Sequence, residues 1–147
     1  MSDEMDVDDC EFIAHIRKDG ERQSLQEHLQ GVAMRAGENA EKLGLSLAGE
    51  IIGLLHDLGK YSERFQAYLK FVTGIYDQDA DEEYVDAKSL KGKIDHSTAG
   101  AQLIWRELSK QGPLGLLAGQ ILALCIASHH SGLIDCLSPA GDDVFGK

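Results

Sequence analysis

Apolar or small residues fall at Leu25, Leu29, Val32, Ala36, Ala40 and Leu43, the period of one helical face, and Gly44 closes the run. The preceding Ser24-Leu25-Gln26-Glu27 reads as a capping box, with Ser24 as N-cap and Glu27 reaching back. His28 lies on this stripe, one position before Leu29. A second helix is predicted from about Leu47 to Leu58, where Ile51, Ile52, Leu54 and Leu55 make it apolar nearly all round and Gly59 stops it. A third, from Ser62 to about Val72, carries Phe65, Tyr68, Leu69 and Val72 on one side. Helix returns at His96 and runs to about Lys110, with Ala99, Gly100, Leu103, Ile104 and Leu108 facing inward. Pro113 suits the first turn of a last helix, Leu114 to about His130. Few segments alternate with a period of two, so the expected fold is all-α, a compact helical bundle.

Three stretches depart from this pattern. Residues 1–10 read as a disordered acidic tail ahead of one domain spanning 11–147. Residues 74–93 crowd Asp77, Asp79, Asp81, Glu82, Glu83 and Asp86 into a segment with little periodicity, expected to be a mobile surface loop. Asp77, Asp79 and Asp81 mimic the start of a calcium loop, but Glu82 stands where its glycine belongs, which favours a solvated loop. Between Gln111 and Ile134 there is no Asp, Glu, Lys or Arg. The purely apolar runs there are shorter than the roughly 20 residues a bilayer span takes, so a central buried helix is expected and no membrane partner.

Composition narrows the function. Fourteen basic against 25 acidic residues give a formal net charge of -11, which argues against an unaided grip on nucleic acid. It leaves open a site whose bound cations supply positive charge locally. The three cysteines, Cys10, Cys125 and Cys136, are odd in number and lack a Cys-x-x-Cys spacing. No disulfide framework is expected, and a reducing cytoplasm fits. The acidic start MSDEMDVDD is unlike a signal peptide.

The six histidines are His15, His28, His56, His96, His129 and His130. Any one of them alone reads as a half-buried side chain satisfied by a backbone carbonyl. Their placement changes this: His28 lies on a buried face, His56 and Asp57 end an apolar helix, His96 opens one, and His129-His130 closes an uncharged one. Titratable groups set repeatedly at the ends of buried helices cost several kcal/mol unless paired or bound to metal. A shared metal centre formed by His28, His56, Asp57, His96, His129 and His130 accounts for all of them. With one carboxylate among six ligands, nitrogen dominates, which favours Mn, Fe, Co, Ni or Zn over Mg or Ca.

The run His56-Asp57-Leu58-Gly59-Lys60, with His28 upstream, resembles the signature of the HD superfamily of metal-dependent phosphohydrolases. With His96-Ser97-x-x-Gly100 and His129-His130-Ser131-Gly132, it most resembles the HD nuclease domain of the CRISPR-associated nuclease-helicase of type I interference, over roughly Ser24 to Leu137. The resemblance implies a helical HD bundle with two divalent metals at its centre. His28, His56 and Asp57 would hold one, and Asp57 would bridge to a second held by His96, His129 and His130. Asp57 and Lys60 become the candidate catalytic residues, and Lys60 and Ser97 the candidate substrate contacts. Lys60 would sit near the phosphate; the alternative for it is a lysine complementing a helix dipole. The implied activity is endo- and exonucleolytic hydrolysis of single-stranded DNA, with a helicase domain in the same or a separate chain and a CRISPR surveillance complex as partners.

One departure bears on the first metal. The family takes a further aspartate from a helix well downstream of the doublet, whereas the acids here, Asp135, Asp142 and Asp143, fall in a Gly/Pro-containing segment. The expectation is an N-terminal piece of a longer protein, with a weak or empty first site and a second that keeps its ligands. Two alternatives accompany the nuclease reading: a phosphohydrolase of nucleotides or cyclic nucleotides, and an inactive metal-binding docking module. A helical domain without metal is the bland remainder.

Overall fold

The computed structural model describes residues 12–17, 19–73 and 94–130. The predicted acidic tail, the segment 74–93, Cys10, Cys136 and the acids Asp135, Asp142 and Asp143 lie outside the described residues. Two strands open the fold, β1 (Ile13–Ile16) and β2 (Arg22–Ser24). Helices α1 (Leu25–Glu41) and α2 (Ser46–Leu55) follow, then a single 3-10 turn (Leu58–Tyr61), α3 (Glu63–Val72), α4 (Thr98–Leu108) and α5 (Gly112–Ser128). The helical bundle expected from periodicity is present, with a small antiparallel hairpin added to it.

That hairpin was not legible because it does not alternate. Ile13 pairs with Ser24 but His15 with Gln23, so the register breaks between Ile13 and His15. The extra residue leaves Ile13 and Ala14 both buried, in place of one in and one out. The strand is held from two sides. The Leu25 N–H donates to the Phe12 carbonyl at 2.7 Å. Buried Gln66 of α3 accepts from the Ile13 N–H at 3.0 Å and donates to the Ile13 carbonyl at 3.0 Å and the Lys60 carbonyl at 2.7 Å. One amide thus ties β1 to the 3-10 turn.

The helices begin where their caps predict. Ser24 accepts from the Glu27 N–H at 3.1 Å, and Ser62 from the Phe65 N–H at 3.3 Å. Pro113 stands in the first turn of α5. Leu25, Leu29, Ala33 and Gly37 form the buried face of α1. The main apolar cluster, Ala101, Ile104, Ala123 and Ile126, joins α4 to α5, with Ile51, Ile52 and Leu55 of α2 packed on it. Gly100 is the point of closest approach: a Cβ there would lie 1.9 Å from the Leu55 carbonyl oxygen. Only a residue without a side chain lets α4 meet the end of α2.

Several expected boundaries and faces need correction. Helix α2 ends at Leu55, three residues early, because the chain turns at His56 and Asp57 to form the site described below. Helix α4 starts two residues after His96. Ala99 is exposed, and Leu43, just past α1, is 75% exposed, so neither belongs to the core. Helix α5 is not buried all round. Its core face is Gly119, Ala123 and Ile126, while Leu114 (83%) and Ile121 (53%) remain exposed. An uncharged helix therefore packs by one face among the described residues. None of their helices is long and apolar enough to cross a membrane.

Gln66→Ala removes a partner from each of three backbone groups, and a buried group left unsatisfied costs about 1–3 kcal/mol unless water reaches it. Urea denaturation is expected to show a loss of about 2–3 kcal/mol, against about 0.5 kcal/mol or less for Gln102→Ala on the exposed face of α4. Equal losses for the two variants would contradict the clamp.

Candidate metal centre

The site forms where helices stop. At the end of α2 the His56 ring donates through Nδ1 to the Gly53 carbonyl at 2.8 Å, which fixes the imidazole against its own helix. Asp57 then leaves helical geometry (φ -112°, ψ 22°), and the 3-10 turn brings Lys60 back over it. The Asp57 carboxylate is 3% exposed and Lys60 4%. The Lys60 ammonium lies 2.9 Å from Asp57 Oδ2 and donates to the Ala14 carbonyl at 3.4 Å.

The two carboxylate oxygens face different partners. Oδ2 lies 3.1 Å from His28 Nε2, in the first turn of α1, and 3.1 Å from His56 Nε2. Those two nitrogens are 3.3 Å apart. Oδ1 lies 3.4 Å from His129 Nε2, 3.6 Å from His96 Nε2 and 4.0 Å from His130 Nε2. It is buried without a hydrogen-bond partner among the described residues. His96 and His130 close this side, their Nε2 atoms 2.7 Å apart.

Local structure aims each ring. Asp95 accepts from the Ser97 and Thr98 N–H groups at 2.9 and 3.0 Å, making a tight turn that starts α4 and sets His96 before it. Burial opposes ionisation of Asp95, but these donors outweigh it and hold its pKa below the ordinary value. The Gly59 N–H donates to the His96 carbonyl at 3.0 Å, and a Cβ on Gly59 would lie 2.6 Å from the His96 Cα. His129 ends α5 with Nδ1 donating to the Ile126 carbonyl at 2.6 Å, and His96 Nδ1 donates to the Ile94 carbonyl at 3.3 Å. In His56, His96 and His129 alike, Nδ1 is spent on a backbone carbonyl, which leaves Nε2 as the free donor atom toward Asp57. Metal-ligating histidines are oriented in this way.

Charge states suit the same purpose. Burial alone would raise the Asp57 pKa; hydrogen bonds and charge from His56 and Lys60 overcome this and hold the carboxyl far below its usual range. Burial lowers the His28 pKa despite the opposing pull of Asp57. His130 is lowered by burial and by the neighbouring charges of His129 and His96. At His56 burial also works against the proton, but the Asp57 and Gly53 hydrogen bonds prevail and raise its pKa. A bound cation would displace that proton.

The five expected histidine ligands therefore converge on the carboxylate of the sixth, Asp57. Two groups could hold a metal ion: Asp57 with His96, His129 and His130, and Asp57 with His28 and His15, the ligand atoms of each lying within 4.8 Å of one another. The residues fit such a cargo. An orphaned buried carboxylate oxygen aimed at three imidazoles, and acceptor nitrogens facing a second oxygen, call for cations rather than for more hydrogen bonds. Ser97 is elsewhere engaged, its hydroxyl donating to Asp95 at 3.1 Å. Residue His15 was not singled out from sequence, since it lies on a strand with no readable period. Its ring stands edge-on to His28 with centroids 4.8 Å apart.

Helices that end in imidazoles around a shared aspartate define a candidate metal centre of the HD type. Within that class, the chain belongs to the Cas3 HD-domain family, whose model (Cas3, HD domain) matches residues 11–139. The match reaches further toward the N-terminus than the motifs that start at Ser24, and so takes in the β1–β2 hairpin and His15. A comparison with curated proteins returns no match.

Addition of Mn or Ni to metal-free protein is expected to raise the melting temperature, since at 100 times Kd a ligand stabilises by about 2.7 kcal/mol. Asp57→Asn, which weakens both halves, should lose this shift, and His129→Ala should lose most of it. A wild-type protein that shows no shift with either metal would contradict the assignment.

Proposed function

We propose that this domain is a metal-dependent nuclease that hydrolyses phosphodiester bonds of single-stranded DNA in CRISPR interference. The reading rests on one observation, the two-sided Asp57 carboxylate whose Oδ1 is buried and unpartnered toward His96, His129 and His130. His28, His56 and Asp57 would hold one divalent transition-metal ion (Mn, Ni, Co, Fe or Zn), and Asp57, His96, His129 and His130 would hold a second. When bound, such a pair supplies Lewis-acid charge and a water acidified enough to act as nucleophile.

The chain's own residues do the rest. The backbone anchors at Gly53, Ile94 and Ile126 hold three rings in place, so that little reorganisation accompanies reaction. Lys60, whose ammonium lies 2.9 Å from Oδ2, would neutralise charge developing on the phosphoryl oxygens of a strand bound at the centre. The net charge of -11 suits a domain that receives its strand from a helicase rather than gripping DNA alone. A helicase domain, in the same or a separate chain, and a surveillance complex are the partners this implies, in the cytoplasm, with residues 11–147 as the nuclease domain.

The test incubates metal-loaded protein with circular single-stranded DNA and, separately, with nucleotides and cyclic nucleotides. Metal-dependent nicking of the circle is expected, lost on chelation and reduced about a hundredfold or more in Asp57→Ala and His96→Ala. Turnover of nucleotides alone would replace the nuclease with a small-molecule phosphohydrolase. Metal binding without turnover of either would leave an inactive docking module.

A further inference from the structure

The half of the centre around Oδ2 has three corners of a coordination sphere already drawn. The distances His28 Nε2–Oδ2, His56 Nε2–Oδ2 and His28 Nε2–His56 Nε2 are 3.1, 3.1 and 3.3 Å. An ion with metal–ligand bonds of about 2.0–2.1 Å in tetrahedral geometry sets its ligands about 3.3 Å apart. These three donors match that spacing, and a fourth is needed. Resting on the reading that this is a metal centre, we propose that His15 is that donor, so that the first ion is held by His15, His28, His56 and Asp57.

Four features of the molecule carry this. A ring nitrogen of His15 lies within 4.8 Å of the ligand atoms of His28 and Asp57. The His15 and His28 rings meet edge-on, at 81°, so a nitrogen of His15 can turn toward the ion without unstacking anything. The backbone beneath His15 is built rather than loose. The register break immediately before it re-aims the side chain, and Gln66 fixes the peptide groups of Ile13 on both edges. Neither ring nitrogen of His15 has a hydrogen bond among the described residues, unlike the Nδ1 atoms of His56, His96 and His129.

The same geometry makes this the weaker of the two centres. Lys60 Nζ stands 2.9 Å from Oδ2 and 3.4 Å from the Ala14 carbonyl, next to His15 in the chain, so an incoming ion competes with an ammonium already there. Among the described residues nothing comparable guards Oδ1.

The experiment titrates the full 147-residue chain with Co(II), following visible absorption and bound metal per chain, and compares wild type with His15→Ala, His15→Asp, His28→Ala and His96→Ala. His28→Ala marks the first ion by removing it, and His96→Ala marks the second. His15→Ala is expected to weaken the ion that His28→Ala removes by about tenfold or more, the scale on which losing even an outer-shell partner weakens a site. The His96-dependent ion should keep its affinity, and His15→Asp, which restores a donor, should recover most of the loss. An unchanged affinity of the His28-dependent ion in His15→Ala would overturn the proposal while leaving the metal centre intact. A wild type that binds no Co(II) would overturn both. Should His15→Ala lose its far-UV CD signal, His15→Gln against His15→Asp makes the same comparison, and equal affinities for that pair would overturn it too.

Discussion

Burying a carboxylate costs several kcal/mol unless its charge is met inside the protein, and Asp57 is 3% exposed. The fold meets that charge unequally. One oxygen has Lys60, His28 and His56 within 3.1 Å; the other has three imidazoles between 3.4 and 4.0 Å and no hydrogen bond among the described residues. Among the described residues the charge is therefore balanced on the Oδ2 side and under-compensated on the Oδ1 side. Much of the architecture serves this one group, since α1, α2, the 3-10 turn, α4 and α5 each place at least one residue against it. Close approaches at Gly100 and Gly59 bring the ends together, because a Cβ at either would collide with the backbone of the next element.

Precision in such a centre comes from short-range structure. His56, His96 and His129 each tie Nδ1 to a carbonyl two or three residues upstream, so each ring's aim is fixed by its own segment. Packing then has only to position whole segments, a coarser task that small residues such as Ala33, Ala101 and Ala123 perform by allowing close contact. Gln66 does the same for the hairpin with a single buried amide.

Much of the site was readable because its residues violate the pattern around them. His56-Asp57 ends an apolar run, His129-His130 ends an uncharged one, and His28 interrupts a hydrophobic stripe; each conflict between polarity and burial marks a place where function overrides propensity. The same logic missed His15, for a physical reason. It sits on a strand of four residues whose register breaks at Ala14, so the period-two signal that would have flagged an inward polar residue is destroyed by the irregularity that aims it. The end of α2 was placed late for a related cause: Leu58 continues the apolar period, but capping by His56 and the turn at Asp57 take the chain out of the helix first. Lack of charge in α5 suggested burial on all sides, yet hydropathy alone does not say how many neighbours a helix finds, and among the described residues α5 has mainly α4 and α2.

Charge links this geometry to the proposed phosphodiester substrate. The chain carries a net -11, Lys60 is neutralised by Asp57, and His28 and His130 are held toward their neutral forms. Without bound cations the centre offers a phosphodiester little attraction inside an acidic surface. A divalent cation bound there would reverse the local sign, beside a buried carboxylate where screening is weaker than at the surface. Metal loading would then govern substrate affinity as well as chemistry, so that strand binding near the centre and metal binding are two readouts of a single electrostatic switch at Asp57.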